Sequence, residues 1–273
     1  EARYGDAVAL ASMTFDMSVL FGYAAGGALL TFVGARSALL INAVSFLISA
    51  VLLSRIPAAR NAPADGPPVR VRDGWRAMVD DPFIRRFFIG YMYVGSCAVV
   101  AESLVALYAL KELHDEPGTS GLLAAAIPAG AILATVFARG SGDDTAKVQR
   151  ASEIALLGAL VGAVVFVSAP RLPLVLVGFG AVGILNASRI PANEVTVLRL
   201  EDRMRAPTFA VLNGFLLGSQ ALAAALGGWV AYLIGVRQAI LLSLIVAGVV
   251  GVWGTLRPPH ELKHRAKSPT TPP

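Results

Sequence analysis

Eight long apolar runs, at roughly 7–33, 37–56, 87–110, 119–138, 154–170, 172–198, 207–234 and 238–256, alternate with short polar stretches along the chain. Crossing about 30 Å of hydrocarbon at about 1.5 Å per residue takes about 20 apolar residues. The pattern therefore predicts an all-α, polytopic membrane bundle of about eight transmembrane helices, spans one to eight, with lipid as the solvent of its outer faces.

A repeat organises these spans. Gly26-Gly27, six residues, then Gly34-x-Arg36-x-Ala38-x-Leu40 returns 201 positions later as Gly227-Gly228, six residues, then Gly235-x-Arg237-x-Ala239-x-Leu241. One helical hairpin thus occurs twice, with four spans between the copies. The unit is six spans long, and both copies cross the membrane in the same direction. Only two spans precede the second unit, so the chain is expected to be a partial fold: the last hairpin of one unit and the whole of the next. Parallel repeats of this kind are the organisation of many membrane transporters. Glu1 is accordingly read as an internal position of a longer protein.

Charge placement orients the spans. Of 23 Lys and Arg, eighteen fall on one face when the polar stretches are assigned to alternate sides, four (Arg36, Lys111, Arg171 and Arg237) fall on the other, and Arg189 lies within a span. By the positive-inside rule the rich face is cytoplasmic, which puts both ends of the chain there. The pI near 9.7 is thereby accounted for by topology, and nucleic acid is not an expected partner. Composition agrees: 56% of residues are hydrophobic and 15% charged, against roughly 25% charged in a soluble domain.

The longest polar segment divides the chain. Residues 1–57 form the last hairpin of the amino-terminal half. Residues 58–86 are a cytoplasmic linker, Pro- and Ala-rich at first, in which Trp75, Met78 and Val79 at helical spacing predict a short helix on the cytoplasmic leaflet. Residues 87–256 form a six-helix bundle, and 257–273 a basic, Pro-rich disordered tail.

Three stretches carry a resemblance. Ser18-Val-Leu-Phe-Gly22-Tyr-Ala-Ala-Gly26-Gly27 resembles the antiporter motif of the fifth helix of the major facilitator superfamily, with Ser18 where that motif has Gly and Tyr23 where it has Pro. Asn42 to Pro57 resembles that family's sixth helix and its exit, and Arg189 to Arg205 its tenth helix and the loop after it. The chain is similar throughout to helices five to twelve of the drug-efflux and siderophore-export branch. The resemblance implies a secondary transporter in the cytoplasmic membrane that exports a small amphipathic molecule, such as a drug, natural product or siderophore, in exchange for protons. It also implies a need for four helices preceding Glu1. An uptake permease, or a non-transporting scaffold or sensor of the same fold, are the alternatives.

Ionisable residues inside spans are costly, at least about 2.5–3.5 kcal/mol near the bilayer centre, and so mark function. Spans two, five and eight carry none over 37–54, 154–170 and 238–256, whereas span one carries Asp16, span three Glu102 and span six Arg189 and Glu194. Asp16 is either a proton carrier or an Asp hydrogen-bonded among Ser12, Thr14 and Ser18. Glu102 is either a carrier or a carboxyl reaching the exterior. Arg189, with Asn186 and Asn193 near it, is either a ligand contact or an anchor paired with Glu194. Tyr91, Tyr93 and Tyr108 are possible ligand neighbours. Ser18, Gly22, Gly26 and Gly27, with Gly227 and Gly228 as repeat counterparts, are expected to serve close helix packing. No catalytic, metal or cofactor site is expected: His114, His260 and His264 lie outside the spans, Cys97 is the sole cysteine, and neither HExxH nor GxSxG occurs. An enzyme is not the expected reading.

Overall fold

The computed structural model describes residues 2–55, 70–114, 117–138, 144–168, 170–188, 196–197 and 199–256. The first part of the linker, Arg189, Asn193, Glu194 and the tail lie outside the described residues. Each of the eight apolar runs contains helix, and among the described residues there is no strand. In chain order the helices are α1 (Ala2–Ser54), α2 (Val71–Asp80), α3 (Pro82–Ser103), α4 (Val105–Lys111), α5 (Pro117–Ala138), α6 (Asp144–Val167), α7 (Leu172–Ile184), α8 (Asp202–Ile234) and α9 (Val236–Leu256), with a 3-10 turn at Leu185–Ser188.

The segment Met13–Ser54 of α1 is 42 residues long, twice what one crossing needs, and it breaks at Gly34, where φ is 72° and ψ 166°. Its repeat counterpart Gly235, between α8 and α9, has φ 98° and ψ 156°. Two glycines 201 positions apart thus make the same left-handed turn, a conformation that any Cβ would strain. The sequence repeat is a conformational repeat. Span three is divided between α3 and α4, which meet at a 40° bend at Leu104. Span six is shorter as regular helix than its apolar run, because α7 ends at Ile184 and passes into the 3-10 turn.

The core lies between α3 and α9. Tyr108, Phe166 and Phe179, from α4, α6 and α7, meet edge to face at centroid distances of 5.2–5.7 Å, the arrangement the ring quadrupole favours. Where α5 crosses α7, side chains are left out altogether: a Cβ on Gly183 would lie 1.8 Å from the Ile127 carbonyl oxygen. Close backbone approach of this kind holds helices together where burying apolar surface gives no net drive.

A second cluster forms where α2 meets α3 and α8. Met78, Ile84, Phe88, Leu200, Val211 and Leu212 are buried together, and a Cβ on Gly74 would meet the Pro207 backbone at 2.5 Å. The expected leaflet helix therefore turns its Met78 side into protein, and Trp75 stacks against Phe215 at 5.1 Å. One carboxylate fixes the corner. Asp81 Oδ1 accepts the Ile84 N–H at 3.1 Å, an N-cap followed by Pro82 at the first helical position. Its Oδ2 accepts from Arg199 Nη1 at 3.3 Å.

Span one packs chiefly on α5, and after Gly34 the second half of α1 runs free of the bundle, with every residue from Leu39 to Ser54 exposed. The repeat and the charge placement lead us to expect the turns at Gly34 and Gly235 together on the external side of the membrane. Val236 is buried, whereas Ala35 and Gln238 are exposed. In a Cys97→Ser background, Ala35→Cys and Gln238→Cys should both react from outside with a membrane-impermeant maleimide. Labelling of either one from the cytoplasmic side alone would overturn the arrangement.

Candidate functional site

The stripe of α1 that meets the bundle comprises Asp16, Tyr23 and Gly27, spaced seven and four residues apart and thus on one helical face. Gly27 and Gly121 of α5 touch backbone to backbone: a Cβ on Gly27 would lie 2.8 Å from the Gly121 Cα, and one on Gly121 2.4 Å from the Gly27 Cα. One turn further, Gly118 leaves room for Thr31, whose Cγ2 would lie 2.5 Å from an added Cβ. This is the seam between α1 and the helices that follow it.

A polar link crosses the same seam. The Tyr23 hydroxyl donates to Glu102 Oε1 at 2.6 Å, short as bonds to a carboxylate are. Glu102 lies near the end of α3, just before the bend at Leu104, and is half-buried. Asp16 is 5% exposed and engaged with its surroundings rather than free. It lies about 10 Å from Tyr23 along the helix axis, seven residues at about 1.5 Å each. Two of the predicted carboxyls thus converge on one seam, one of them through a tyrosine that the sequence marked only as a departure from a motif.

Other predicted positions fare differently. Ser18 is exposed and bonds back to its own helix, donating to the Thr14 carbonyl at 2.8 Å, as Ser commonly does in apolar helices. Gly22 and Gly26 leave open space, with nothing within 4 Å of an added Cβ. In the second copy the close contact moves by one residue: Gly227 admits Val100 of α3, whose Cγ1 would lie 2.6 Å from an added Cβ, while Gly228 faces open space. Asn186 is half-buried in the 3-10 turn. Tyr93 is exposed, whereas Tyr108 is 1% exposed and belongs to the aromatic core, so it cannot flank a ligand. Among the described residues no group of His, Cys, Asp and Glu is placed to hold a metal ion.

A cavity of about 740 Å³ opens between α2, α3 and α8, lined by Arg72, Trp75, Met92, Val211, Phe215, Ser219 and Leu222 among others. Its walls are apolar and aromatic, with one guanidinium and one hydroxyl for polarity. The size suits a drug-sized molecule. Beside it, Ser96 donates to Ser219 at 3.2 Å and ties α3 to α8. Met92 is ten residues from Glu102 on α3, about 15 Å along the axis.

Compared with known protein families, residues 1–188 match the model of the Major Facilitator Superfamily. The chain belongs to the major facilitator superfamily. Curated proteins yield no match. The matched stretch extends from α1 to the 3-10 turn and so reaches both sides of the seam. This is a multi-pass membrane protein of a transporter family, and the superfamily's chemistry is translocation rather than bond-making.

Gly121, Gly118, Gly74 and the pair Asp81–Arg199 do not stand out in the sequence as site residues, and Tyr23 stands out only as a departure from a motif. The small-residue spacing Gly118-x-x-Gly121 and the Asp81-Pro82 cap were the signals available for them. Because the seam closes on Gly27 and not on Gly22, the two should respond differently to a methyl group. Gly27→Ala is expected to lower stability by about 1–3 kcal/mol, the usual cost of overpacking. Gly22→Ala should be neutral or stabilising, since Ala favours a helix over Gly. Thermal unfolding in detergent measures both, and equal losses would remove Gly27 from the contact.

Proposed function

We propose that the chain is the carboxyl-terminal part of a proton-driven exporter of small amphipathic molecules, embedded in the cytoplasmic membrane with both ends of the chain cytoplasmic. The observation that carries this reading is the Tyr23–Glu102 hydrogen bond across the seam. A superfamily transporter works by moving one half against the other around a central site, so a bond between the halves is present in some states of the cycle and absent in others. A carboxylate accepts from a phenol roughly twice as strongly as a neutral acceptor does. When Glu102 takes up a proton it loses that advantage, and the seam loosens. When it releases the proton, the bond and the seam re-form. Proton loading thereby biases the equilibrium between the two arrangements, which is the differential interaction that coupling requires. Asp16, on the same face of α1, is the second carboxyl available for this role.

Substrate class follows from the cavity: apolar and aromatic walls with Arg72 as the only charge among the residues lining it fit a molecule that is mostly apolar with a polar or anionic end. Export rather than uptake rests on the likeness of Ser18–Gly27 to the antiporter motif. On this reading the helices that complete the amino-terminal half precede Glu1, and transport requires them.

The full-length transporter in proteoliposomes tests the mechanism. Glu102→Gln keeps size and hydrogen bonding but cannot cycle a proton, so it should abolish gradient-driven efflux while leaving downhill equilibration of substrate intact. Tyr23→Phe removes the bond but not the carboxyl. It should shift the balance between states by about 1.5 kcal/mol, roughly tenfold, and weaken coupling without abolishing it. If Glu102→Gln, Asp16→Asn and the double variant all retain uphill efflux, the seam carboxyls are structural and the proposal fails.

A further inference from the structure

The side chains lining the cavity between α2, α3 and α8 offer it donors and no anionic acceptor. Arg72 and Trp75, three residues apart and so on one side of α2, bring a fork of guanidinium N–H groups and an indole N–H. Ser219 on α8 has its one proton engaged already: it donates to the Leu216 carbonyl at 2.8 Å and accepts from Ser96 at 3.2 Å. No carboxylate is among the lining residues. Asp73, beside Arg72 in sequence, is occupied at the start of α2, where it accepts the Arg70 N–H at 2.9 Å. Shape selects as well as charge. Gly214 and Gly218, one turn apart on α8, both line the cavity, and a Cβ added to either would meet nothing within 4 Å. Gly27 and Gly74 admit another main chain, whereas these two leave the cavity wall at the level of the backbone. Next to that wall Phe215 meets Trp75 with ring centroids 5.1 Å apart and planes tilted by 36°. Both rings stay open to contact, Trp75 42% exposed and Phe215 47%.

We propose that this cavity binds a planar aromatic monoanion, whose ring lies against Gly214 and Gly218 beside the Trp75–Phe215 pair and whose acidic group accepts from Arg72. The inference rests on the reading of this cavity as the substrate site, and it narrows the substrate from any amphipathic molecule to one sign of charge and one shape. A guanidinium pairs both oxygens of a carboxylate in its own plane and neutralises one negative charge. One acidic group is therefore the whole complement of the polar end. A cation would meet Arg72 with no lining carboxylate to offset it, and a dianion would leave one charge unpaired among apolar walls. A ring fits a wall at backbone level and completes an offset or edge-to-face cluster with the two aromatic side chains. A flexible alkyl chain loses rotamer freedom on binding that a ring does not have to lose.

Equilibrium dialysis against the full-length protein in phosphatidylcholine nanodiscs, with empty nanodiscs subtracted, measures binding without a proton gradient or transport. 2-Naphthoate should bind about tenfold or more tighter than 2-naphthamide and 2-naphthylmethylamine, the margin that a charge-assisted bond gives. Decanoate, with the same charge and no ring, should also bind more weakly than 2-naphthoate. Arg72→Gln should bring 2-naphthoate down to the affinity of the amide and leave the amide unchanged. Gly218→Leu fills the wall while favouring the helix, so it should weaken 2-naphthoate by about tenfold without lowering the unfolding temperature. Equal binding of acid, amide and amine, or decanoate bound as tightly as 2-naphthoate, would overturn the proposal. That comparison needs no variant, so a misfolded one does not obscure it. Displacement of 2-naphthoate by phosphatidylglycerol in the nanodisc would assign Arg72 to a lipid headgroup and overturn the proposal as well. Efflux by the Glu102 and Asp16 variants reads coupling separately: this selectivity without coupled export refutes the exporter, whereas coupled export without this selectivity refutes only the aromatic anion.

Discussion

Helices already in lipid gain nothing by hiding apolar side chains from it, so a membrane bundle must be held by contacts that lipid cannot make. Here those contacts are backbone against backbone. Gly27 on Gly121 and Gly183 on Ile127 bring main chains to distances at which no side chain fits, allowing dispersion and weak Cα–H···O contacts to act at short range. The placement of these glycines decides which helices are neighbours. The apolar residues around them, largely interchangeable in size and chemistry, fill the remaining space.

The same constraint shapes the polar chemistry of the seam. A carboxyl group among such helices must find a partner, because hydrocarbon offers none. Glu102 finds Tyr23, which lies one turn from the close crossing of Gly27 and Gly121. The glycine crossing and the hydrogen bond thus sit side by side on the same face of α1. The cavity lies elsewhere, between α2, α3 and α8, where α3 carries Met92 ten residues before Glu102.

The helices and their order were legible in the sequence because lipid imposes a length and a composition that soluble folds do not. The repeat was legible because Gly34 and Gly235 must both adopt positive φ, which leaves a fixed letter at a fixed spacing. What could not be read was partnership. Asp16 and Glu102 stood out as charges in spans, but nothing local connects Glu102 to Tyr23, 79 positions away. Nor does a run of glycines say which one faces a neighbour: Gly22, Gly26 and Gly27 look alike in sequence, and helix rotation alone selects Gly27. The short helix at Val71–Asp80 was anticipated from Trp75, Met78 and Val79, but an amphipathic face fits lipid and protein equally well. The contact of Gly74 with Pro207 is what turns it toward α8.

Surface turns are ordinarily where a chain tolerates insertion, being exposed and loosely held. The turn at Gly235 is otherwise. It joins two helices through a single residue, and the arginine two positions on is anchored to three carbonyls of a third helix. An epitope or reporter spliced there would have to pull that anchor away, so the second hairpin offers no permissive site at its tip. An antibody or protease directed at the Gly235 turn would find no free polypeptide there to grip.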